Sequence, residues 1–357
     1  MRIRLAILDK DTVYLTRITS VFTARYAEKL EVHSFTDKDV ALQSLKTSKI
    51  DIFLVSTDFS IPTENLPRRC VLVYFVDSPQ IDTVKEQKAI CKYQKASLIY
   101  KQLLSIYAES SAAEITGIRL QRDANAAQII VFSSASGGTG SSTVAAACAR
   151  KAALYGKKVL YINFEKLGNA DLFFQGEGQF DLGDLIYALK SNKANLPLKI
   201  ESTVKKDKTG VYFFSSCKIA LDMLEMTGEE KKCLLSELEL TGGYQYIIVD
   251  ADFSLDDEFL MLVQQSVKTV LVSDGSEIAN GKLSKCCQAL SILEQQRDLS
   301  FMNRMGVFYN KFSNKTGKVV QGLDLREYGG VQRFEHAGTE QIIRQLVQTK
   351  VLDKILD

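Results

Sequence analysis

Short apolar runs separated by helix-length amphipathic stretches recur along the whole chain. Arg4-Leu5-Ala6-Ile7-Leu8, Asp51-Ile52-Phe53-Leu54-Val55 and Val71-Leu72-Val73-Tyr74-Phe75-Val76 are nearly continuous in apolar residues. Runs of that length predict parallel strands buried on both faces. Glu31-Val32-His33-Ser34-Phe35 reads as a further strand, and 89–93 as a weaker fifth. Between them Val13, Ile18, Val21, Phe22 and Tyr26 follow helical spacing, as do Val40, Ala41 and Leu45 behind a cap at Thr36. A last helix is expected over 97–108. Strand and helix alternate, which predicts a doubly wound parallel sheet over residues 1–110. Residues 111–127 are small and polar, and are expected to be a linker. A second set of strands is then predicted at 129–132, 158–163, 210–214, 246–250, 269–273 and 306–310. Helices are predicted at 144–155, 181–189 and 281–294. Near the end, Ile342, Ile343, Leu346, Val347, Leu352 and Ile355 stand at near-helical spacing. Residues 128–357 therefore read as a second α/β domain.

Composition narrows the function classes. The 357 residues carry a formal net charge of +2, which offers no electrostatic case for nucleic acid as a partner. Nor does a convincing helix-turn-helix follow the first domain. Seven cysteines form no CxxC pair, and buried free thiols in a reducing compartment are expected. Two histidines, His33 and His336, argue against a histidine-based metal site or triad. No apolar run reaches the roughly 18 residues of a membrane span. A cytoplasmic protein is expected, recruited to a membrane or cell pole only through partners. The charges of the terminal helix balance to zero, unlike the basic face of a membrane-surface helix, so it is expected to pack on its own domain. The acidic run Asp252, Asp256, Asp257 and Glu258 reads as a loop and a helix start, where carboxylates are favoured.

The chemistry centres on Ser136-Gly137-Gly138-Thr139-Gly140-Ser141-Ser142-Thr143. This stretch follows an apolar strand and opens an alanine-rich helix. Glycines let backbone N–H groups approach an anion, and the helix N-terminus adds partial positive charge. A serine or threonine at the helix start can hold Mg²⁺. Phosphate loops normally carry a lysine, and this one has none.

Five strand–helix repeats over residues 1–110 resemble a response-regulator receiver domain. Asp9-Lys10-Asp11 stands where that family keeps its acidic cluster, and Lys95 where it has a lysine. Ser56 stands in place of the phosphoacceptor aspartate, so the domain is expected to be an atypical receiver that is not phosphorylated. Asp58, two residues on, lies off the strand tip that such transfer needs.

The loop and the strand order after it resemble the MinD/ParA group of deviant Walker P-loop ATPases. The glycines and the final two hydroxyls match; the two lysines of that loop are replaced by Ser136 and Ser141. The resemblance implies an α/β fold, a receiver-like sheet followed by a MinD/ParA-like P-loop domain, with ATP and Mg²⁺ as ligands. Residues 136–143 would hold the phosphates, and Ser142 and Asp250 the Mg²⁺, the latter through water. Asn310-Lys311 would contact the adenine, with Arg333-Phe334 continuing its wall. Asn163 and Glu165 occupy the family's Asp-x-Asp positions, and no catalytic residue is assigned.

A receiver-like domain joined to such a P-loop domain resembles the CpaE/TadZ proteins of Tad (Flp) pilus assembly. That resemblance implies a homodimeric, ATP-binding localisation and assembly factor with pilus or secretion partners, and weak or absent hydrolysis. The alternative is a slow ParA/MinD-like ATPase that positions a cargo, with Lys166 or Lys311 supplying the lost charge.

Overall fold

The computed structural model describes residues 2–67, 69–110, 127–191, 195–323 and 325–357. The expected linker falls outside the described residues except for Ala127. The chain divides into two compact units. Among the described residues the first holds 2–110, 188–191 and 195–203, and the second holds 127–187 and 204–357. By sequence position residues 188–191 and 195–203 fall in the expected second domain; they pack in the first unit.

The first unit is built on β1 (Ile3–Leu8), α1 (Thr12–Arg25), β2 (Leu30–Phe35), α2 (Lys38–Thr47), β3 (Ile52–Ser56), β4 (Val71–Val76), β5 (Thr83–Val84), β6 (Gln87–Cys91) and α3 (Ala96–Ala108). Its sheet runs β2-β1-β3-β4-β6-β5, parallel except for the β5–β6 hairpin. Asp11 and Asp37 cap α1 and α2, each accepting two backbone N–H groups. Asp37, not Thr36, is the cap of α2, because its carboxylate reaches Asp39 N at 2.9 Å and Val40 N at 3.0 Å. The alternation of strand and helix lapses after β3. One 3-10 turn (Thr63–Asn65) precedes β4, and the short β5 hairpin follows it. Pro62 and Pro67 interrupt the first stretch, and Lys85 and Glu86 adopt positive φ in the second.

On the second unit's side of the sequence come β7 (Gln128–Ser133), α4 (Ser141–Leu154), β8 (Val159–Asn163), α5 (Leu182–Ser191) and α6 (Leu196–Thr203). Helix α6 lies in the first unit, against α3. Leu198 enters the core formed by α1, α3 and β1. Lys199, 2% exposed, has its ammonium 2.7 Å from Glu109 and 2.9 Å from Ser105. Glu201 accepts from Tyr100 at 2.8 Å and pairs with Lys29 at 3.0 Å. A buried charge costs several kcal/mol unless paired, and each cation here has a carboxylate. Leu198→Ala is expected to destabilise the first unit by about 2–4 kcal/mol. Hydrogen exchange in the full chain should then show faster opening of α3, although Leu198 lies far along the sequence.

The second unit continues with β9 (Lys205–Lys206), β10 (Tyr212–Phe213), α7 (Ala220–Leu224), α8 (Gly228–Thr241), β11 (Tyr246–Asp250), α9 (Asp257–Gln265), β12 (Lys268–Ser273), α10 (Glu277–Gln296), β13 (Met305–Phe312), β14 (Arg326–Gln332), α11 (Thr339–Gln348) and α12 (Asp353–Leu356). Strand order is β14-β13-β12-β7-β11-β8-β10-β9, parallel except for β9. The edge strand β14 had no counterpart in the hydrophobic pattern, since Arg326, Glu327, Gly329 and Gly330 interrupt it. Asp256 caps α9, with Asp257 and Glu258 in its first turn, as the acidic run implied. Helix α4 is buried along nearly its whole length; its alanines let the sheet and α11 approach closely. Ile343, Leu346, Leu352 and Ile355 are buried in the same core, so the terminal helical segment packs on this unit. All seven cysteines are free thiols, and Cys233, contrary to expectation, is exposed. No helix among the described residues is long and apolar enough to cross a membrane.

Candidate functional site

Strands β7, β8, β11 and β13 end at one edge of the second sheet, beside the point where order reverses around β7. Ligands of open α/β sheets bind in that crevice. The glycine loop lies there, between β7 and α4. Ser134 anchors it: its hydroxyl lies 2.6 Å from the Val272 carbonyl and 2.8 Å from the Ser136 carbonyl. It also accepts from Thr139 Oγ1 at 2.9 Å. Gly138 and Gly140 adopt φ of +79° and +86°, which favour glycine. Gly140 caps α4 without a side chain, so the N–H groups of the first helical turn stay free for an anion. Ser141 Oγ is buried without a partner among the described residues.

Asp250 ends β11, is 0% exposed, and accepts the Tyr161 hydroxyl at 2.7 Å and the Asn163 amide at 3.1 Å. Asn163 also donates to Glu165 at 3.0 Å. Both Glu165 oxygens lie 3.2 Å from Ser142 Oγ. Burial, with Glu165 nearby, pushes the Asp250 carboxyl up to about 8. Its Oδ1 has no partner among the described residues. Two carboxyl groups, one with an orphaned buried oxygen, and a serine hydroxyl are the hard donors that a divalent cation takes. Ser142, Glu165 and Asp250 therefore fit Mg²⁺, which would supply charge neutralisation for a phosphate chain.

Asn310 and Lys311, expected at an adenine, reach the glycine loop. Asn310, 2% exposed, donates to the Thr139 carbonyl at 2.7 Å, and the Lys311 ammonium to the Gly138 carbonyl at 2.8 Å. Arg333 is exposed beside Glu335 at 3.7 Å, and Phe334 packs on the main core. Ser136, Gly137 and Thr143 stand on the loop and first helical turn as the sequence implied. A cleft of about 260 Å³ near the end of β13 is lined by Tyr309, Phe312, Asn314 and Val331 among others. A second, of about 130 Å³, lies beside the carboxylates and includes Asn163, Glu165, Lys166, Leu167 and Cys217.

At the strand tips of the first unit, Asp9 is 1% exposed and pairs with Lys92 at 2.7 Å. Lys92, not Lys95, is the lysine that reaches the acidic residues, because it directly follows β6. Lys95 instead stands at the start of α3. Ser56 donates to Asp58 at 3.2 Å, and Lys10 lies over the Phe59 ring. A hydroxyl, not a carboxylate, ends β3, and Lys92 pairs with the buried Asp9. Treatment with acetyl phosphate is expected to leave the intact mass unchanged; a phosphoryl adduct on this unit would contradict that.

Sequence reasoning missed Tyr161, Ser134 and Lys92. A tyrosine inside the otherwise apolar 159–162 run was the available signal for Tyr161, since a buried phenol needs a partner. Nothing local marks Lys92, whose partner lies 83 residues away.

Residues 1–108 match the family model described as the TadZ-like receiver domain. No curated protein matches the sequence. Among solved structures the chain is similar to a ParA family ATPase from Chlorobium tepidum TLS, with 17% identity over 66% of this chain and 99% of that one, at a TM-score of 0.52. It is similar to the MinC:MinD cell division complex of Aquifex aeolicus, with 18% identity over 64% and 96% and a TM-score of 0.50. It is also similar to the septum site-determining protein MinD complexed with Mg-ADP from Pyrococcus horikoshii OT3, with 15% identity over 64% and 96% and a TM-score of 0.50. At these identities the likeness is one of fold.

Proposed function

We infer that this CpaE/TadZ-like chain, a TadZ-like receiver domain ahead of a MinD/ParA-like fold, is a nucleotide-holding localisation and assembly factor for a Tad-type pilus. It binds Mg·ATP, turns it over weakly or not at all, and acts as a homodimer. The observation that carries this reading is the loop itself. Its glycines, free helix N–H groups and Ser142–Glu165–Asp250 cluster are present, while Ser136 and Ser141 stand at both lysine positions. Backbone donors and cation ligands support binding. A charge that reaches the transferred phosphate is a catalytic element, and its removal costs roughly 10³ or more in rate. Asn163 has no carboxylate to act as a base toward water.

Exposed apolar side chains support self-association. Leu167, which lines the cleft beside Glu165, is 81% exposed, and Leu172, Ile219 and Leu221 are exposed in the same unit. Exposed apolar surface of this kind favours a protein partner. Isothermal titration of the full chain with Mg·ATP tests binding, and no heat at millimolar ATP overturns it. Sedimentation with and without Mg·ATP tests the dimer. Steady-state turnover near 1 per second would favour the second reading, a slow positioning ATPase. The Lys311 ammonium on the loop is the observation that keeps that reading.

A further inference from the structure

The end of β13 is built to deliver two consecutive side chains onto the glycine loop. Tyr309 pairs with Gly330 and Phe312 with Gln332, so β13 carries one residue more than β14 between those pairs. Lys311 takes up this bulge with φ of +58°, a left-handed conformation that disfavours side-chain-bearing residues. In a regular strand neighbouring side chains point to opposite faces. Here Asn310 and Lys311 point the same way, to the Thr139 and Gly138 carbonyls at 2.7 and 2.8 Å. A Cβ built on Gly140 lies 3.5 Å from Lys311 Cε and 3.8 Å from its Nζ. The ammonium therefore sits over the loop from which Ser136 and Ser141 have removed the usual cations. Ser141 Oγ is left unpartnered in the same loop.

We propose that Lys311 is the phosphate-binding cation of this site, supplied from β13 rather than from within the loop. The bulge places its ammonium on Gly138 O, and it transfers that hydrogen bond to the β- or γ-phosphate when nucleotide enters. A phosphate anion is a stronger acceptor than a neutral carbonyl, so the exchange is favourable. This role rests on the reading of the loop as a nucleotide site, and it differs from an adenine contact.

Titration calorimetry on the full chain separates the two ideas, with Mg·ATP, Mg·ADP and AMP as ligands. For Lys311→Met, Mg·ATP affinity is expected to fall about tenfold or more, the scale of a charged hydrogen bond, while AMP affinity changes less than about twofold. Lys311→Arg, with the same backbone and charge, should stay within about threefold of the parent protein. The double variant K311M/S141K should regain Mg·ATP affinity, because a loop lysine then supplies the charge. Equal losses for ATP and AMP would assign Lys311 to the base or ribose and overturn the proposal, as would unchanged ATP affinity in Lys311→Met. A wild-type protein that binds none of the three overturns the nucleotide reading, and this role with it.

Discussion

Gly140→Ala is expected to abolish measurable Mg·ATP binding and to destabilise the second unit by about 2–4 kcal/mol. Two costs add. The backbone at Gly140 has φ of +86°, where a Cβ costs about 1–2 kcal/mol. That Cβ would also stand 2.6 Å from Asn310 Nδ2. Asn310 has little room to withdraw, being buried and bonded to the Thr139 carbonyl. Either the loop shifts and turns its N–H groups off the phosphate position, or Asn310 loses its hydrogen bond. Urea denaturation and calorimetry on the same preparation test both effects. A variant as stable as the parent, with unchanged affinity, would show that the loop does not depend on this close approach. Gly137→Ala is the control for stability alone, since a Cβ there meets nothing within 4 Å.

The second large effect is expected at Asp250, where Asn should raise the stability of the metal-free protein and weaken Mg·ATP binding about 100-fold. The binding loss follows from removing a buried carboxyl that a bound divalent cation would strip of its proton and take as an oxygen donor. The gain in stability follows from burial. The carboxyl holds its proton up to about pH 8 in the folded protein, against an ordinary value of 3.8. Between those values the folded state binds more protons than the unfolded one, so stability falls as pH rises through that window. Asparagine keeps the shape and the acceptor oxygen for Tyr161 without the charge. Thermal melts in EDTA should show the parent losing stability between pH 5 and pH 8 more steeply than Asp250→Asn. Parallel pH profiles would mean that Asp250 is not the group responsible.

Local periodicity carried much of the architecture. The apolar runs at 4–8, 52–55, 71–76, 129–132 and 246–250 became central strands because a parallel strand covered on both faces needs an unbroken apolar run. The loop was equally legible, since strand, glycines and hydroxyl-bearing helix start are all encoded within 15 residues. The places of Ser142 at a helix start and Asp250 at a strand end were legible for the same reason: each stands at the end of an element that the pattern marks.

Other features depended on partners distant in sequence. Helix α6 has no counterpart in the sequence reading and falls by position within the second domain; packing in one core with Leu103, Leu104 and Tyr107 of α3 gives Leu198 its place in the first unit. Lys92 and Lys95 are equivalent lysines until the end of β6 selects the one that reaches Asp9. Asn310 and Lys311 alternate in any strand reading, and one extra residue against β14 turns both toward the loop. Hydrophobic alternation, turn chemistry and capping act over a few residues and so are written in the chain order itself. Register, bulges and ion pairing arise where segments remote in sequence compete for the same space, and the folded sheet alone decided that the Lys311 ammonium from β13 would reach the Gly138 carbonyl of the loop.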